Sequence, residues 1–255
     1  MFMVIYKNPL YYEIAFSFVN AEKQVDLFEK FIKKFSKIKV KRFLDIGCGP
    51  SLQLREIAKR GYEAVGLDSS SKMLKYLEQK GKEKGIKIET VKADMIDFHI
   101  KKKADFVFIM MGTIGYIKNN EDFLKHLNSV AHSLRKGGLY LIENFTLDWL
   151  NFKPQSWTMS KDGIKVKTTY RVELKDSLNQ IITEKLKLEV NDRGKRLLLK
   201  RKCDRKLIFP QEFLTLLKLN NRFEFLGWFT GFSKSRYPKR LSKSSMDNIV
   251  LLRRN

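Results

Sequence analysis

Cysteine is nearly missing from this chain: Cys48 and Cys203 are the two in 255 residues. So few thiols, so far apart, exclude a disulfide framework and a cysteine zinc site, and they fit a reducing compartment, the cytoplasm. Histidine is also scarce, with His99, His126 and His132 only. His126 and His132 stand six apart on one helical pattern, which is poor spacing for a shared face, so packing or surface roles are expected. No run approaches the ~20 apolar residues of a membrane span. The opening MFMVIYKNPLYY has no long apolar segment and no small-residue cleavage site, so no signal peptide is expected either. Acid is short relative to base: 28 Asp+Glu face 51 Lys+Arg, a net charge of +23. The imbalance is uneven, since residues 1–150 hold 26 basic against 18 acidic residues and residues 151–255 hold 25 against 10. Two readings stand, a solvated lysine-rich surface or an anionic partner, RNA among them.

What is present supports a core. Apolar residues make up 43% of the chain, enough for one domain with an elaboration. In residues 20–35, Val25, Leu27, Phe28, Phe31, Ile32 and Phe35 recur at helical spacing, and Asn20 is placed to cap that helix. Short apolar strands are expected at 42–48, 63–68, 88–94, 104–111 and 139–145. Helices are expected at 51–60, 71–81 and 119–134, the last stopped by Lys136-Gly137-Gly138. Strict alternation of this kind implies a parallel sheet with helices on both faces, whose ligands sit at the carboxyl ends of the strands. After Phe145 the pattern changes. Turn signals at KDG (161–163), DSLN (176–179) and DRG (192–194) separate strand-like runs, so three or four antiparallel strands are expected between 156 and 209. A helix opened by Pro210 and two closing strands, 223–232 and 245–254, complete the chain.

Residues 43–54, FLDIGCGPSLQL, place two glycines where the first strand turns into a helix. A phosphate-binding P-loop would need Gly-Lys-Ser/Thr, yet Pro50, Ser51 and Leu52 follow Gly49. A dinucleotide turn would need a third glycine where Leu52 stands. The ordered set DIGCG, GLD, KADM, an apolar fourth strand and LRKGGLYLIEN instead resembles the Rossmann-like S-adenosylmethionine-dependent methyltransferases, nearest to those acting on small-molecule nitrogen or oxygen. The likeness covers residues 43–145 well and the rest more loosely.

The resemblance implies a fold and a site. The fold is α/β, a Rossmann-like seven-stranded, mostly parallel sheet with helices on both faces, plus the antiparallel excursion. Residues 1–145 would form the N-terminal lid helix and cofactor core, 146–209 a substrate cover or dimer contact, and 210–255 the last helix and closing strands. Gly47, Cys48 and Gly49 would line the methionine end of S-adenosylmethionine, with Asp45 beneath. Asp68, next to Ser69, would accept the ribose hydroxyls, Met73 would cover the adenine, Asp94 would take its amino group, and Met95 would meet the ring edge. Met110 and Met111 belong to the fourth-strand loop, and Tyr11 and Tyr12 to a tyrosine-rich lid. A catalytic Pro-Cys and an Asn/Asp-Pro-Pro-Tyr/Phe motif are both missing after the fourth strand. The segment MMGTIGYI there resembles that of enzymes acting on amino sugars and small amines.

Methyl transfer from a sulfonium is an in-line displacement, so alignment and exclusion of water matter most. Tyr116 and Glu143, with Asn144 beside it, are the candidate catalytic residues, and no metal site is expected. The acceptor is expected to be a small molecule, the product S-adenosylhomocysteine, and the assembly a monomer or homodimer. The alternatives are an RNA methyltransferase using the basic C-terminal half, with the segment RGKRLLLKRKCDRK and the loop SKSRYPKR, as a phosphate track, and a cofactor-binding protein without catalysis.

Overall fold

The computed structural model describes residues 5–143, 152–232, 238–241 and 248–255. In chain order these form α1 (Pro9–Ala15), α2 (Ala21–Phe35), β1 (Arg42–Ile46), α3 (Leu52–Lys59), β2 (Glu63–Asp68), α4 (Ser71–Lys82), β3 (Ile88–Lys92), β4 (Ala104–Ile109), α5 (Asn120–Ser133) and β5 (Leu134–Glu143). There follow β6 (Gln155–Lys161), β7 (Ile164–Asp176), β8 (Ile181–Asp192), β9 (Lys195–Lys206), α6 (Pro210–Asn220), β10 (Phe223–Thr230) and β11 (Asn248–Arg254). Seven strands make one sheet in the order β10-β11-β5-β4-β1-β2-β3. It is parallel except at β11, which runs antiparallel to both β5 and β10. This is the expected Rossmann-like fold.

The core forms by alternation along strands buried on both sides. On β4, Phe106 and Phe108 join Phe28, Phe31 and Phe43 beneath α2. Val107 and Ile109 point the other way, to Phe123, Leu127 and Phe213 of α5 and α6. Side-chain caps start the helices: Asn20 accepts from the Lys23 amide, Ser51 from Leu54 and Ser70 from Met73, each satisfying an amide with no partner inside its helix.

Several strands end about two residues earlier than expected, and one boundary differs in kind. Lys136-Gly137-Gly138 does not separate helix from strand; β5 already begins at Leu134, which pairs with Ala104, and the register shifts before Phe106. A Cβ on Gly138 would stand 2.5 Å from the Asp105 carbonyl oxygen, so the glycine permits a close strand approach rather than a loop.

The excursion is a separate antiparallel sheet, β6-β7-β8-β9. All three turn signals fall between its strands. Its apolar face, with Val166, Leu188 and Val190, packs against Ile5, Ile14 and Ala15. Helix α1 is therefore held against the second sheet and also touches α4, and the site lies beside it.

Candidate functional site

The glycine turn after β1 is built on Asp45 and Asp68. Asp45 is buried and accepts a hydrogen bond from the Ser51 hydroxyl at 2.7 Å. Asp68 ends the neighbouring strand and accepts from the Gly49 amide at 2.8 Å and the Ser70 amide at 2.7 Å. Burial pushes both carboxyl groups above their ordinary range; the Ser51 hydroxyl at Asp45, and the amides at Asp68, pull only partly the other way. Gly47 has φ +66°, and a Cβ there would come within 2.5 Å of Thr113 Cγ2. Backbone conformation and close approach both require glycine at this position. Cys48 is buried, and burial pushes its thiol well up, so it fills space rather than acting as a nucleophile.

Asp45, Gly47, Cys48, Gly49, Asp68, Ser69, Met73, Asp94, Met95, Met110, Met111, Tyr12 and Tyr116 line one cavity of about 290 Å³. Residues spread over a hundred positions meet there because the parallel strands end on one side. Asp94 spends one oxygen on the Ile96 amide at 2.8 Å, closing its own turn. The Met95 carbonyl is held by buried His126 Nδ1 at 2.7 Å, and His126 Nε2 meets the Tyr140 hydroxyl at 2.7 Å. Burial lowers the His126 pKa to about 4, with the Met95 carbonyl and the Asp94 charge opposing. His126 is therefore a neutral strut under the Met95 loop.

Two sequence candidates sit elsewhere. Tyr11 turns to the second sheet, where its hydroxyl donates to Asp192 at 2.9 Å, and it lines neither cavity. Tyr6 takes the wall position instead. Glu143 lines an adjoining compartment of about 560 Å³, which shares Tyr6, Tyr12, Met111, Thr113, Tyr116 and Arg201 with the first. Glu143 Oε2 accepts from the Met111 amide at 2.7 Å, and its carbonyl accepts from the Gly112 amide at 3.2 Å. Met111 has φ +54°, a strained conformation for a side-chain-bearing residue, and Glu143 holds it there. Asn144 lies outside the described residues.

The second compartment draws on residues that the sequence reading passed over. Phe16, Phe18, Trp157 and Tyr170 supply aromatic walls, and Glu184, Arg201 and Arg205 supply charge. On β9, Arg201, Cys203 and Arg205 alternate inward, in register with Glu184 opposite Cys203. The signal was available: these residues continue the inward parity of Leu197 and Leu199. A charged inward row on a sheet is unusual unless it serves a site or an ion network. Burial raises the Glu184 carboxyl, but the charges of Arg205 and Arg201 outweigh it and hold the group below its ordinary range.

This geometry matches known proteins at the level of one domain. Residues 43–138 match the family model described as a methyltransferase domain. The fold is that of Rossmann-like S-adenosylmethionine-dependent methyltransferases: a Clostridium acetobutylicum S-adenosylmethionine-dependent methyltransferase superposes with a TM-score of 0.77 at 16% identity over 96% of both chains. In sequence, the chain is 25% identical over 115 residues to a putative methyltransferase of Geobacillus sp. (strain WCH70), covering 45% of this chain and 47% of that protein. It is 28% identical over 100 residues to dTDP-3-amino-3,4,6-trideoxy-alpha-D-glucopyranose N,N-dimethyltransferase of Streptomyces venezuelae, covering 39% and 40%. The chain thus spans under half the length of these curated relatives.

Proposed function

We propose that this protein is an S-adenosylmethionine-dependent methyltransferase that moves a methyl group to a nitrogen or oxygen of a small molecule. One observation carries the reading: the cavity bounded by the glycine turn and Asp68 shares a wall, at Met111 and Tyr116, with a second compartment lined by aromatic and charged side chains. The donor set suits this cofactor, with four carboxylates (Glu13, Asp45, Asp68 and Asp94), a close backbone turn and, among the described residues, no lysine lining the cavity. Gly47 and Gly49 with Asp45 hold the methionine end, Asp68 accepts the ribose hydroxyls, and Met73, Asp94 and Met95 enclose the adenine. When bound, the cofactor supplies a methyl group already activated on a sulfonium.

The chain's own residues align the acceptor and keep water out. Glu143 fixes the turn that carries Met111 and Thr113. Tyr116 is half-buried; desolvation, with the Tyr6 and Glu184 charges, raises its phenol well above its ordinary range, against the opposing Arg205 and Arg201 charges. It therefore remains protonated at neutral pH and orients the acceptor by hydrogen bonding, not as a base. The second sheet covers the acceptor compartment, supplying Trp157, Tyr170, Glu184, Arg201 and Arg205 to its lining.

An RNA substrate would call for a basic track leading to Tyr116. Among the described residues of β9, Lys200 and Lys202 are instead exposed on the outer face, while Arg201 and Arg205 face inward; residues 233–237 of the basic loop lie outside the described residues. To test the proposal, the purified protein is incubated with methyl-labelled S-adenosylmethionine and a cell extract, with and without ribonuclease, and label is separated by size. Label in small molecules, insensitive to ribonuclease, is expected. Label in large, ribonuclease-sensitive material would replace this reading with the RNA one.

A further inference from the structure

Two guanidinium groups share one carboxylate at the base of the second compartment. Glu184 Oε1 accepts from Arg201 Nη1 at 2.8 Å, and Oε2 accepts from Arg205 Nη1 at 2.6 Å and from the Tyr170 hydroxyl at 2.9 Å. The three charged side chains are only 6–8% exposed. Arg205 spends its other terminal nitrogen on the Gly112 carbonyl. It is thus committed to Glu184 and to the loop after β4. Arg201 is different. Among the described residues its one hydrogen bond is from Nη1 to Glu184. Its guanidinium lies over the rings of Tyr6 at 4.6 Å and Tyr116 at 4.8 Å, on the wall shared by the two compartments.

The charge balance points the same way. The second compartment is lined by three cations, Lys23, Arg201 and Arg205, and two carboxylates, Glu143 and Glu184. The lining thus carries one positive charge more than negative, and Glu184 is shared between Arg201 and Arg205. Two nearly buried guanidinium groups sharing one carboxylate leave a surplus positive charge, which is costly unless a further anion meets it. The planar guanidinium fork matches the oxygens of a carboxylate or phosphate.

We propose that the methyl acceptor carries an anionic group, a carboxylate or a phosphate, on a flat apolar body, and that Arg201 binds that group while Phe16, Trp157 and Tyr170 enclose the body. This inference rests on the proposed methyltransferase function and names the substrate class of that same site.

The full chain is titrated calorimetrically with S-adenosylhomocysteine, and then, saturated with it, with benzoate, phenyl phosphate and benzamide. At least one anion should bind about tenfold or more tightly than benzamide, as charge-assisted hydrogen bonding requires. Whichever anion leads identifies the group, carboxylate or phosphate. In Arg201→Gln the preference should collapse to about twofold, with partial recovery in Arg201→Lys; Glu184 keeps Arg205 as its partner, and a cooperative melt in each variant shows that the fold is retained. Lys200→Gln, on the outer face, should leave the preference intact. Equal binding of all three probes, binding of none, or a preference that survives Arg201→Gln overturns the inference. So does a preference lost equally in Lys200→Gln, which would mean diffuse charge. Loss of S-adenosylhomocysteine affinity in Arg201→Gln, with anion preference unchanged, would assign Arg201 to the cofactor's own carboxylate and also overturn it. Failure of the wild type to bind S-adenosylhomocysteine at all would strike the methyltransferase reading instead.

Discussion

Gly47 and Asp68 show how single residues shape the site. Gly47→Ala forces a left-handed conformation on a side chain that also meets Thr113. Destabilisation of about 2 kcal/mol is expected, read as a shift in denaturant midpoint. Asp68 has the opposite character: it is tolerated at a cost. Burial raises its carboxyl above the unfolded value, so the folded chain holds the proton to higher pH than the unfolded chain. Its contribution to stability is full below the unfolded pKa and is lost as pH rises through the folded one. Ribose hydroxyls donating to the carboxylate favour the ionised form. Cofactor affinity should therefore weaken as pH falls from 7 towards 5 in the wild type, and stay weak and flat in Asp68→Asn. Calorimetry at the two pH values tests this; an equal pH slope in the variant would remove Asp68 from cofactor binding.

At the scale of elements, α1 is the piece that joins the two halves of the site. Glu13 on α1 pairs with Arg55 of α3 at 2.5 Å, with both side chains under 8% exposed. Tyr11 donates to Asp192, and the Trp157 indole donates to the Ala15 carbonyl at 2.7 Å. A helix of seven residues is too short to hold its shape alone, so these anchors fix it. Removing one partner of a buried ion pair leaves the other uncompensated. Glu13→Ala should cost about 3 kcal/mol or more in unfolding experiments and increase proteolytic cleavage within residues 9–20. An unchanged cleavage rate would show that the second sheet alone holds the helix.

At the scale of the whole molecule, acid stability should be governed in part by His126. The unfolded imidazole takes a proton below about 6.5, whereas burial delays this in the folded chain to about 4. Between those values the unfolded state binds more protons, so stability falls as pH falls. The loss attributable to His126 is about 3 kcal/mol between pH 6.5 and 4. Denaturant midpoints across that range should fall less steeply in His126→Gln than in the wild type, whatever the variant's stability at pH 7. Parallel slopes would mean that His126 is charged in the fold. Among the described residues no helix is long and apolar enough to cross a membrane.

The Rossmann-like sheet was legible in the sequence because its signals are local. Apolar runs, capping residues and glycine turns each act within a few residues, and the turn signals from 161 to 194 placed the second sheet's strands for the same reason. Most cavity residues were legible too, because parallel strands must end on one side. Two results depended on tertiary structure alone. Nothing local distinguishes Tyr11 from Tyr12; the packing of α1 against the second sheet turned one to Asp192 and the other to the cavity. Likewise the basic segment of β9 reads as a single charged stretch, and only the pairing of β9 with β8 sends Lys200 and Lys202 to solvent and Arg201 and Arg205 to Glu184. A strand's two faces differ only once something packs against one of them.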